Sequence, residues 1–127
     1  MSITTSANIF VFFVAIVILF QLALAAGMPW GRLSNGGKFP GRLPKGMRFA
    51  SVFQAGILAV FGVIVLTKSG SIYPQWVVAS KTAIWVVVAF SALATIMNLI
   101  TPSKWERIIW APVSIIMLIT VILVAKG

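Results

Sequence analysis

The 127-residue sequence carries one acidic side chain, Glu106, and has neither His nor Cys. Paired carboxylates, the basis of much hydrolytic and two-metal chemistry, are therefore unavailable. So are the nitrogen and sulfur ligands that hold zinc, haem or iron–sulfur clusters, and neither a metal nor a cofactor is expected. The remaining nucleophiles are Ser, Lys and Tyr73, and none has an evident activating base. An enzyme is not the expected reading.

The chemistry left is that of cations. Five of the ten Lys and Arg fall in residues 27–48, as Arg32, Lys38, Arg42, Lys45 and Arg48, among six glycines and three prolines. No regular helix is expected through that spacing. Glycine lets successive amides turn outward as anion-binding concavities. With the cations and the aromatic depth markers Trp30 and Trp105, the stretch is a candidate surface for anionic lipid or a partner protein. A basic loop that only fixes topology is the simpler alternative.

The elements that position these residues are apolar. Hydrophobic residues make up 61% of the chain, charged ones 9%, and the mean hydropathy is +1.10. A soluble fold of this length could not bury so much apolar surface. The net charge of +9 then points to lipid phosphates rather than nucleic acid. Four spans are expected, at about 9–26, 49–66, 79–100 and 106–125, giving an all-α polytopic membrane protein. The chain is read as a single domain, 1–127, an antiparallel four-transmembrane-helix bundle with a long Gly/Pro/basic loop between helices 1 and 2. Residues 1–8 lack the basic region of a secretory signal, so the first span is expected to be retained.

Gln21, Gln54, Ser91, Thr95 and Asn98 are the polar members of the spans and should face the bundle interior. They either hold helices together or line a pathway in an oligomer. Ser51, Ala55 and Ala59, with Gly62 close by, read as a small-residue strip for helix packing. Pro112 should bend the last helix.

Four spans place residues 27–48 and 102–107 on one side. The count of Lys and Arg is then seven there (residues 32, 38, 42, 45, 48, 104, 107) and three opposite (68, 81, 126). The positive-inside rule puts both basic loops in the cytoplasm and both termini outside the cell membrane. Glu106 joins the cations on that face. It is expected either to pair with Arg48 or Arg32 across the loops, or to complete a capping box with Ser103 on its own helix.

Four segments together, GMPWG at 27–31, NGG at 35–37, LPKGMRFAS at 43–51 and MNLITPSKWERIIWAP at 97–112, resemble a group of small bacterial four-span integral membrane proteins of uncharacterised activity. The group's pattern usually carries Trp before the Gly pair, where this chain has Asn35. The resemblance implies a four-helix inner-membrane fold with the basic loops together, and it implies no activity. Proton-coupled multidrug exporters are similar in length but depend on a carboxylate that this first span lacks.

The functional expectation is a non-enzymatic membrane protein acting through a basic cytoplasmic face, on anionic lipid or as an accessory subunit to a partner. No nucleic acid is expected. The alternative is an oligomeric channel or carrier for a small anionic solute, lined by the five polar span residues.

Overall fold

Ser2 opens the first helix: its hydroxyl accepts the amide of Thr5 at 3.0 Å, satisfying one of the free donors of the first turn. The computed structural model describes all residues, Met1–Gly127, and α1 runs over Ile3–Ala25. The polar opening residues are thus the first turns of a helix rather than a tail, with Ser6 and Ala7 fully buried. The helix closes on Gly27, whose φ of +101° suits glycine alone, with Met28 N–H on the Ala23 carbonyl and Gly27 N–H on that of Leu24.

Three more helices follow: α2, Lys45–Lys68; α3, Val77–Ile100; and α4, Lys104–Lys126. Each helix has 23 or 24 residues, or about 35 Å, enough to cross a hydrocarbon core. The all-helical chain is a polytopic membrane protein, with four helices long and apolar enough to span a bilayer. The helix sequence corrects one expectation. Lys45 to Arg48 are not loop but the first turn of α2, because Pro44 sets the entry and Arg48 N–H already reaches the Pro44 carbonyl at 2.9 Å.

The helices pack in ring order α1–α2–α3–α4, each antiparallel to the next, with α1–α2 and α3–α4 in closest association and α2–α3 the loosest neighbouring seam. Phe10 and Val14 of α1, Phe61 and Val65 of α2, Ile84 and Val87 of α3, and Val121 and Val124 of α4 meet in the core. That core lies in the half of the bundle away from the long loop. Ser51, Ala55 and Gly62 are buried on α2, and Gly62 lies against Val14. Ala59 faces outward, since eight residues carry it about 80° round the helix from Ser51 while eleven bring Gly62 back to within about 20°. Pro112 sits inside α4, which continues through it to Lys126.

The end opposite the long loop has its own polar tie. Lys68, only 9% exposed, donates its ammonium to the carbonyls of Val124 at 3.1 Å and Gly127 at 3.0 Å. A cation at the C-terminal carbonyls of α4 both satisfies them and opposes the negative end of the helix dipole. Lys68→Met should cost about 2 kcal/mol, because two hydrogen bonds to a charged group are lost. Unfolding in mixed micelles would measure it, with the exposed Lys81→Met near zero as the control.

Candidate functional site

Residues between α1 and α2 form a folded cap over one end of the bundle rather than a free loop. Two short 3-10 turns, Gly31–Leu33 and Asn35–Gly37, give it shape. Gly31 donates to the Gly41 carbonyl at 2.9 Å, and a Cβ at Gly31 would stand 1.7 Å from the carbonyl oxygen of Phe39. Only glycine admits that approach. Asn35, Gly36 and Gly37 all have positive φ, at 51°, 69° and 74°. The succession turns the Gly36 amide out of the loop, toward α4.

What receives that amide is Glu106. Its carboxylate accepts Gly36 N–H at 3.3 Å and the residue is 7% exposed. The ion pair expected from the sequence is replaced by this backbone contact, and the two arginines are engaged elsewhere. Arg48 donates Nε to the Ala25 carbonyl at 2.9 Å, capping α1, and Arg32 lies over the ring of Trp105 at 5.8 Å. Half of the capping box is present: Ser103 Oγ accepts Glu106 N–H at 3.3 Å. The other half is not, since the carboxylate is spent on the loop and Ser103 N–H turns to Thr101 Oγ1 at 3.2 Å.

Two further ties reach the same cap. Ser103 Oγ donates to the Arg32 carbonyl, and Trp110 Nε1 donates to that of Leu33 at 2.9 Å. Trp110 also lies 4.7 Å, centroid to centroid, from Phe20, whose other neighbour Trp30 stacks parallel at 6.5 Å. Sequence reasoning missed Trp110. Its one signal was an indole donor a turn inside an apolar helix, which must find an acceptor when buried.

The cations stand on the outside of this cap. Arg32, Lys38, Arg42 and Lys45 are exposed and Arg48 half-buried. Two of them converge on Gly27: an ideal Cβ there would lie 2.7 Å from Arg42 Nη2 and 3.3 Å from Arg48 Nη2. These guanidinium groups come from different segments, and neither has a carboxylate partner, since Glu106 faces Gly36.

Beneath the cap lies a cleft of about 630 Å³ between α2 and α3. Leu33 to Gly36 and Glu106 frame its loop end. Gln21, Ser91 and Asn98, three of the five polar span residues, line its walls, while Gln54, expected in the interior, stands exposed at its rim. Thr95 does not line it and is buried with its hydroxyl on the Ser91 carbonyl at 2.8 Å. Asn98 donates to Ser114 Oγ and so clasps α3 to α4. The floor is Phe10, Phe61, Phe90 and Met117, roughly 20 Å along α1 from the loop end. Below it the packed core fills the bundle, so the cleft is one-ended within a single chain. No protein-family model, curated protein or solved structure matches this chain.

Proposed function

We infer that this small membrane protein is non-enzymatic and acts through its basic loop face, which binds the phosphate of anionic lipid headgroups. The observation that carries the reading is the division of charge at the cap. The chain's only carboxylate is turned inward onto Gly36, while Arg42 and Arg48 converge at Gly27 with no acidic partner. Cations left so at the membrane surface are satisfied by lipid phosphate, and Arg in particular suits its planar oxygens. The excess of seven cations over three supports a cytoplasmic placement of this face, where anionic lipid gives the leaflet its negative potential. The carrier reading has less support, since the lining residues end on a packed floor.

Arg42→Gln should weaken retention of phosphatidylglycerol about fivefold, the equivalent of about 1 kcal/mol for one cation near an anionic surface. Native mass spectrometry of protein released from nanodiscs would read it, with Lys126→Gln on the opposite face as the control. Equal retention by both variants would overturn the reading. A stoichiometric protein that copurifies, and is shed by Arg42→Gln while lipid retention holds, would transfer the role of this face to a partner.

A further inference from the structure

We propose that the cleft between α2 and α3 is a second binding site, entered sideways from the bilayer, for one single-chain amphiphile whose head donates hydrogen bonds, such as a hydroxyl or primary ammonium. It is distinct from the basic face and does not depend on it. Three observations carry it.

The first is the shape and gradient of the walls. The cleft has the size of pockets that enclose a small-molecule ligand. Its rim residues Ala50, Gln54 and Leu93 are exposed on the outer surfaces of α2 and α3, so the opening faces lipid rather than water. Polar groups gather at the loop end and aromatic ones at the floor, the order of head and tail in a lipid lying in that leaflet.

The second is Gln21, a largely buried residue that borders the cleft and makes no hydrogen bond to another side chain or to the backbone, so its amide is open to a ligand in the cleft. A buried amide in an apolar medium calls for a hydrogen-bonding neighbour. Asn98, by contrast, has its amide nitrogen held by Ser114.

The third is the balance of donors and acceptors. Glu106 is the only ionisable residue lining the cleft, and an ionised carboxylate only accepts. One oxygen takes the Gly36 amide. The amides of Gln21 and Gln54 can donate or accept, so the carboxylate of Glu106 decides the polarity: a donating head is favoured and an anionic head is repelled. The chain of such a ligand lies against Phe61, Phe90 and Met117.

The test is photo-crosslinking of the purified protein in nanodiscs with a monoacylglycerol bearing a diazirine in its chain, followed by peptide mapping. Adducts are expected on the cleft-floor residues of α2, α3 and α4. Monoolein should displace the probe at least tenfold better than methyl oleate, which has the same chain and no donor, and oleylamine should compete as monoolein does. Ala50→Phe and Leu93→Trp, on opposite rims, should each suppress floor adducts at least fivefold. Both should retain phosphatidylglycerol as the unaltered protein does, which separates a closed cleft from a misfolded bundle and from failure of the basic face. Adducts spread equally over outward residues such as Phe12, Leu19 and Ile119 would overturn the proposal, as would equal competition by methyl oleate.

Discussion

Gly31→Ala unseats the cap and costs about 3 kcal/mol, the upper range for forcing atoms into filled space. The obstacle is backbone: the added methyl meets the Phe39 carbonyl oxygen at 1.7 Å and that of Gly41 at 2.6 Å, and neither can rotate away as a side chain would. The Gly31–Gly41 hydrogen bond goes with the approach. Limited trypsin digestion should then cut at Arg32, Lys38 and Arg42 at least tenfold faster, while unfolding in mixed micelles shifts to lower denaturant. Gly41→Ala is the control, because nothing lies within 4 Å of a Cβ there. Equal effects from the two would show that the close approach is not what holds the cap.

Glu106→Ala should cost about 2–3 kcal/mol, the range for losing a charged hydrogen bond and leaving its buried partner unmet. Glu106→Gln retains an acceptor oxygen for Gly36 and should cost less than half as much. The exposed Lys104→Ala in the same turn should fall within about 0.5 kcal/mol of zero. Trp110→Phe removes the neighbouring tie to Leu33. Its effect should be less than additive with Glu106→Ala, since both hold one short segment of loop. Strict additivity would mean that the two ties act on independent pieces.

Four helices were legible because 18-residue runs without charge have no other stable home than lipid. The buried side of α2 followed from Ser51, Ala55 and Gly62, whereas Ala59 misled, since steps of four drift off a 3.6-residue period. The partner of Glu106 was out of reach for a different reason. Side-chain types suggest arginine, but the donor is a main-chain amide aimed by three consecutive left-handed residues, and a sequence shows that such glycines exist without showing where they point. Lys68 entered only the count of cations on the opposite side; its contact with Val124 spans 56 positions and depends on how α4 lies beside α2. The cleft has no signature in one-dimensional pattern at all, since it arises from how loosely α2 meets α3.

The uneven packing round the ring makes the molecule two hairpins, α1–α2 and α3–α4, joined firmly along α1–α4 and weakly along α2–α3. That is the build of a book with its spine at α1–α4. Parting the covers at that edge breaks few contacts, whereas the cap, itself the loop of the first hairpin, is clamped to the α4 end by Ser103, Glu106 and Trp110 and so ties the two covers together. The gap between the covers is therefore the part of the bundle that yields most readily to the surrounding acyl chains.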